Sequence, residues 1–223
     1  MTVCIRHIAI AAALVLLGAN EVHAQQLFFN SIAGRTMTYD ILSDEGGRIA
    51  TLSETPLGID GTLRDGTVHF NQAYYESDGS PFWRGDPDMK MDVILKDGHL
   101  TAWLESPRKA LKASQYMYQG NAFFIPSSPS VGLLDEVSFP VLVGSMKGSI
   151  RLTDRQVVSI EQITVPAGTF QAFKVTENQN SRIVGFSFDC SLVTWYVEEI
   201  GIVRQECYKK GTLVDVVQLR CIE

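Results

Sequence analysis

The side chains that could do chemistry are few, and none stands in a complete constellation. Ser106-Pro107-Arg108-Lys109 has the Ser-x-x-Lys spacing of serine acyl enzymes. The companion elements of that chemistry are missing, and Lys210-Gly211-Thr212 runs in the wrong order for Lys-Thr-Gly. Gly144-Ser145-Met146-Lys147-Gly148 is not Gly-x-Ser-x-Gly, so it makes no nucleophile elbow. His69 has the ring of a general base, but a base needs a nucleophile and an orienting acid, which spacing does not supply. Asp86, Asp88 and Asp92 offer carboxylates to calcium without the helix-flanked spacing of a strong loop, and read as solvated turn residues. Arg84-Gly85-Asp86, the tripeptide that animal cell-adhesion receptors read, is here a turn. His69 and His99 lack Cys-x-x-Cys or His-x-x-x-His partners, so no zinc site is expected. These residues predict a non-catalytic chain with no cofactor and no metal.

Aromatic side chains are the stronger signal. Phe70, Tyr74, Tyr75, Phe82 and Trp83 crowd a stretch rich in glycine, proline and aspartate, where an aromatic is not obliged to be core. Trp103 falls on the polar side of its expected hairpin, with Asp92 and Lys96. A large ring at a wet rim suits contact with a ligand or partner. Tyr74, Tyr75, Phe82, Trp83 and Trp103 are therefore the candidate ligand-binding residues, with clamping of a loop as the plainer reading.

The elements that must position them begin after a leader. Arg6 precedes an unbroken apolar run, Ile8–Leu17, and Val22-His23-Ala24 has the small residues of a cleavage site. That is the layout of a secretory signal peptide. The run is too short for a bilayer, which takes about 20 residues. A lipid anchor would need a cysteine at the cleavage point, and Cys4 is elsewhere. The expected mature chain is exported to the periplasm or beyond and starts at Gln25, with residues 25–223 forming one domain. The formal net charge is −6 with no long basic run, which disfavours nucleic acid and anionic membrane surfaces as partners. No apolar run after the leader approaches membrane length.

Period-two alternation dominates the rest, punctuated by Asp-Gly pairs. Met37, Tyr39 and Ile41 alternate with polar residues, and Met91, Val93 and Leu95 share one face before Asp97-Gly98. A two-residue turn there pairs Leu95 with Leu100, Val93 with Ala102 and Met91 with Leu104. Asp65-Gly66 in the same role pairs Leu63 with Val68 and leaves His69 on the polar face. Residues 151–164 and 170–176 flank the turn Pro166-Ala167-Gly168. Residues 193–197, 202–208 and 213–219 form a closing meander, with turns at Glu199-Ile200-Gly201 and Lys210-Gly211. The one helix expected after the leader is short, Pro107–Gln115. Residues 125–140 read as a long loop, either a boundary between subdomains or a crossover. The fold class is all-β: an antiparallel meander of hairpins in one strongly curved sheet, an open or half barrel, with a β-sandwich as the alternative.

Register also selects among the cysteines. Cys190, Cys207 and Cys221 follow the leader, and oxidising compartments favour one bridge. The Lys210-Gly211 turn sets Cys207 opposite Val214, too far along the strand from Cys221 for a bond. The preceding turn brings Cys207 near Val193, beside Cys190. Cys190–Cys207 is the expected disulfide, leaving Cys221 over.

Val165-Pro166-Ala167-Gly168-Thr169-Phe170, followed by Thr194-Trp195-Tyr196-Val197 and Gly201-Ile202-Val203-Arg204, resembles the TapB-type secreted bacterial proteins of unknown function. The resemblance covers about residues 140–210. It implies an exported antiparallel β fold, distantly like the curved sheets of periplasmic lipoprotein carriers, and brings no catalytic residues. Family members place proline-glycine after the tryptophan-tyrosine strand, where this chain has Glu199-Ile200.

The function these features predict is a non-catalytic envelope protein whose curved sheet binds an apolar small molecule or lipid, or an envelope protein. A purely structural or interaction protein of the envelope is the alternative, and a hydrolase the third reading. The segmentation predicts that N-terminal sequencing of the exported protein starts at Gln25; a mature protein still starting at Met1 would refute it.

Overall fold

The computed structural model describes residue 30 and residues 32–81, 88–96, 99–105, 130–143, 146–183 and 186–223. In chain order its strands are β1 (Met37–Ser43), β2 (Arg48–Gly61), β3 (Gly66–Glu76), β4 (Asp88–Lys96), β5 (His99–Glu105), β6 (Gly132–Leu133), β7 (Val137–Val143), β8 (Met146–Val165), β9 (Gly168–Ile183), β10 (Phe186–Val197), β11 (Gly201–Lys209) and β12 (Thr212–Ile222). Among the described residues no helix is long and apolar enough to cross a membrane, a statement that does not bear on strands. The expected leader, the Pro107–Gln115 helix and the Asp97-Gly98 turn lie outside the described residues.

The fold is all-β, as the alternation requires. An antiparallel path runs β7-β8-β9-β10-β11-β12-β1-β2-β3-β4-β5, with β6 adding two residues along β8. Its two outer strands touch in parallel over Trp103–Glu105 and Val141–Val143. The sheet is therefore strongly curved, and its edges meet over a short stretch rather than along a full-length barrel seam. All other steps are antiparallel, and every one except β12–β1 and β6–β8 joins strands consecutive in the sequence.

Strand faces follow the predicted period. Met37, Tyr39 and Ile41 are 0, 1 and 2% exposed, and they pack with Ala50, Leu52, Tyr74, Val217 and Leu219 into one core on the concave face. The turn at Lys210-Gly211 has the expected two residues, with φ of 52° and 80°, the left-handed pair that a type I′ hairpin requires. Pro166-Ala167 likewise closes a two-residue turn between Val165 and Gly168.

Four expectations are corrected. The Asp65-Gly66 pair is not the turn: Gly61 pairs with Gly66 and Ile59 with Val68, so residues 62–65 form the loop. Thr62 drives this, its Oγ1 accepting from the amides of Arg64 and Asp65. Gly66 has no room for a side chain, since a Cβ would sit 2.5 Å from the Asp60 carbonyl oxygen. In β4–β5, Leu95 faces Leu100 as expected, but a bulge then sets Ile94 opposite Ala102 and Val93 opposite Trp103. In β11–β12 another bulge sets Cys207 opposite Asp215 rather than Val214. The stretch predicted as loop carries β6 and β7 from Gly132 onward.

A bulge in β8 shapes the interior most. Register shifts between Thr153 and Gln156, leaving Asp154 and Arg155 without cross-strand partners on β9. Asp154 takes a φ of 51°, which turns Arg155 inward. There Arg155 Nε donates to Glu177 Oε2 at 2.9 Å, with side chains 1 and 2% exposed. Its Nη1 donates to the Asp135 carbonyl, fastening the segment that leads into β7. Breaking a buried ion pair strands a charge, which typically costs about 3–5 kcal/mol. Arg155→Met should lower unfolding free energy in denaturant titration by about that amount, and Arg155→Met with Glu177→Leu should recover most of the loss.

Candidate functional site

Strand β3 separates two environments. Val68, Phe70, Gln72 and Tyr74 are buried, while His69, Asn71 and Tyr75 are only partly so. The buried row faces its antiparallel partners on β2: Ile59 with Val68, Pro56 with Phe70, Glu54 with Gln72, and Leu52 with Tyr74. A carboxylic acid and an amide are thus inserted into an otherwise apolar face. Glu54 and Gln72 are each 1% exposed, and Glu54 also faces Met37 on β1.

The two side chains meet through Gln72 Nε2, which donates to Glu54 Oε2 at 3.4 Å. Among the described residues, Gln72 Oε1 is a buried acceptor without a hydrogen-bond donor. Such an atom is costly, since water solvated it in the unfolded chain. Burial raises the Glu54 pKa to about 7, against a smaller opposing effect of the Gln72 hydrogen bond. The protonated acid is thereby favoured below neutral pH, and it can donate as well as accept. Sequence reasoning passed over both residues. The signal was available: Glu54 continues the inward series Ala50-Leu52 toward Pro56, and Gln72 sits between Phe70 and Tyr74.

The opposite face of β3 holds His69. Its Nδ1 lies 2.6 Å from Asp92 Oδ1 and its Nε2 3.1 Å from Asp60 Oδ2. The orienting acid that spacing could not show is present, but a second carboxylate occupies the other nitrogen. Hydrogen bonds to Asp92 and then Asp60 raise the imidazole pKa. A ring held on both sides as imidazolium has no lone pair for a substrate proton, so this arrangement is an electrostatic clasp between β2, β3 and β4 and not a general base.

Of the five aromatic candidates, Tyr74 and Tyr75 lie on opposite faces of β3. Tyr74 is 3% exposed and belongs to the core, because it lies on the inward parity of β3. Tyr75 is its neighbour on the other face, half-buried, in an isolated bridge to Pro81. Phe82 and Trp83 lie outside the described residues. Trp103 takes a register position opposite Val93 and beside Val141, the β4–β5 bulge having shifted its pairing. Trp195 is 7% exposed, donates from Nε1 to Glu161 at 2.9 Å and lies under the Lys174 ammonium, 5.0 Å from the ring centroid.

The expected cysteine pair is adjacent but unbridged. Leu192 faces Cys207 across β10–β11, and Cys190, Leu192 and Cys207 form one buried cluster. All three described cysteines are free thiols in this structure, so the predicted bond is not formed in it. Among the described residues, no group of three or more His, Cys, Asp or Glu side chains is placed to hold a metal ion.

With that geometry in view, comparison with known proteins places the chain. Residues 88–219 match the model of the DUF3108-like family, and the chain belongs to that family. The stretch of TapB-type resemblance falls inside the matched residues; the family established is the DUF3108-like one. No curated protein matches the chain. Two solved structures are similar in fold. One is a Bacteroides fragilis protein described as exported, with a YmcC-like fold; the other is a Parabacteroides distasonis protein described as a lipoprotein. Each has a TM-score of 0.62 and 19% identity, and the match covers 89% of this chain and 99% of the other.

The burial of Glu54 gives a signed pH dependence. Its folded pKa of about 7 lies above the ordinary value of 4.5. The folded state then holds the proton more tightly than the unfolded one, so stability falls as pH rises from about 4.5 to about 7. Glu54→Gln should leave stability at pH 4 nearly unchanged. At pH 8 it should raise stability by up to about 3 kcal/mol, read by denaturant unfolding. Equal wild-type stability at both pH values would refute the buried acid.

Proposed function

We propose that this chain is an exported, non-catalytic binding protein of the cell envelope, whose curved sheet takes an apolar molecule carrying one hydrogen-bond-donating group. Export is supported by the leader-like first 24 residues. The single observation that carries the binding reading is the unsatisfied Gln72 Oε1 in an apolar interior beside a buried acid. An apolar body would occupy the concave side toward β3 and β4, and its donor would complete the amide's hydrogen bonding. Ligand sites of this kind are mostly apolar, with a few polar groups that fix orientation. Catalysis has no support in the same region, since Glu54 and Gln72 have no nucleophile among them and His69 is clasped on both nitrogens.

A second reading has its own observation. Val131 and Leu133, beside and within β6, are 59 and 86% exposed. Large aliphatic side chains on a two-residue edge strand favour an envelope protein as the occupant of that edge.

Native mass spectrometry of the protein purified from its own envelope separates the two. A retained small molecule that Gln72→Leu loses, with affinity reduced roughly tenfold or more by loss of a buried hydrogen bond, is the expected result. A co-purified protein released by Leu133→Asp would support the second reading. A bare protein in every preparation would overturn both.

A further inference from the structure

A sulfur cluster lies between β10 and β11, apart from the proposed ligand. Cys190 and Cys207 are 8 and 7% exposed, and Leu192 completes their cluster. The register pairs Leu192 with Cys207 and Ser191 with Tyr208, so Cys190 is the diagonal neighbour of Cys207 on the inward face. Their side chains belong to one buried cluster. On the far side of β11, Asp215 is the direct cross-strand partner of Cys207. Cys221 belongs to another neighbourhood: it pairs with Thr38 on β1, and its Sγ donates to Glu223 Oε1 at 3.2 Å.

We propose that Cys190 and Cys207 are a dithiol modification site, closed to a disulfide during folding by exchange with a disulfide-bearing oxidant, while Cys221 stays a thiol. The chemistry balances as two successive exchanges. The Cys190 thiolate attacks one sulfur of the oxidant, whose S–S bond breaks as the mixed disulfide forms and the first thiol departs. Cys207 then loses its proton and attacks Cys190 Sγ, expelling the second thiol. Two electrons pass to the oxidant, and the two protons leave on its thiols.

The timing follows from the surroundings. Thiolate is the reactive form. In the completed sheet, the contact with Cys190, then burial, then the Asp215 charge all disfavour the Cys207 thiolate. Asp215 is itself partly desolvated, with its pKa raised to about 6, and so remains mostly anionic above neutral pH. An oxidant must also reach side chains that the folded sheet covers. The bond therefore closes before β12 seals the cluster, and a protein folded in the reduced state reacts slowly.

The test uses protein purified from the envelope of exporting cells, alkylated in acid without reductant and peptide-mapped. The expected result is one linked peptide pair containing Cys190 and Cys207, with Cys221 alkylated alone. A second arm refolds the full, reduced chain with a mixture of reduced and oxidised glutathione at pH 8, and compares it with adding the same mixture after refolding. Formation of the link should be at least tenfold faster in the first order of addition, and Asp215→Asn should narrow the gap. Reductant should lower the melting temperature of the wild type and leave that of Cys190→Ala with Cys207→Ala unchanged. Free Cys190 and Cys207 in the envelope protein, or a link through Cys221, would overturn the proposal, as would equal rates in the two orders.

Discussion

The buried pair Arg155–Glu177 is the contact on which the curvature of the sheet turns. Taking both charges out of water costs several kcal/mol per ion, and only close pairing with further hydrogen bonds offsets it. The structure meets that condition by a backbone device. Asp154 adopts a left-handed φ of 51°, β8 gains residues that β9 does not match, and Arg155 swings from the strand's edge into its concave side. A bulge bends the strand that carries it and increases the local twist. The same guanidinium then holds the Asp135 carbonyl, so the segment before β7 is fixed to the middle of β8. Tyr196 packs into this charge field, and burial beside Glu177 raises its hydroxyl pKa further.

Two of the places where polar groups enter the interior have opposite character. Arg155 and Glu177 answer one another and are reinforced from a backbone carbonyl. Glu54 and Gln72 answer one another incompletely, and one amide oxygen is left over. The first arrangement specifies shape. The second leaves one acceptor unsatisfied, and the proposed binding role rests on that acceptor. Lys174 and Arg204 lie against the Trp195 ring, so this aromatic is covered by long side chains and serves the sheet instead of a ligand.

What the sequence made legible were the features set by local chemistry. Alternation in Met37–Ile41 located β1 and its inward face, Lys210-Gly211 its type I′ turn, and Pro166-Ala167 the hairpin between the two longest strands. What it did not show were one-residue events. A bulge between Ile94 and Leu95 moved Trp103 across its pair, and one between Cys207 and Tyr208 replaced Val214 by Asp215. Period-two reasoning carries no marker for such insertions, because each side of a bulge still alternates. Thr62 likewise outcompeted Asp65-Gly66 by accepting two backbone amides, a preference that an Asp-Gly motif conceals. Of the aromatic candidates, Tyr74 is core. Glu54 and Gln72 were visible only as polar letters out of place in an apolar series.

The pairing of β1 with β12 sets a condition on how the molecule is made. Met37 meets Ile222 and Thr36 exchanges backbone hydrogen bonds with Glu223, so the first strand of the sheet is secured by a strand that lies far along the chain. Contacts of such long sequence separation form late, after the entropy of closing most of the chain has been lost. Until then β1 has only its hairpin with β2, and the sheet lacks the step joining its two halves. A ribosome or translocation pore that still holds the C-terminal segment therefore holds the whole sheet open. Release of that segment is the event that lets the fold become cooperative.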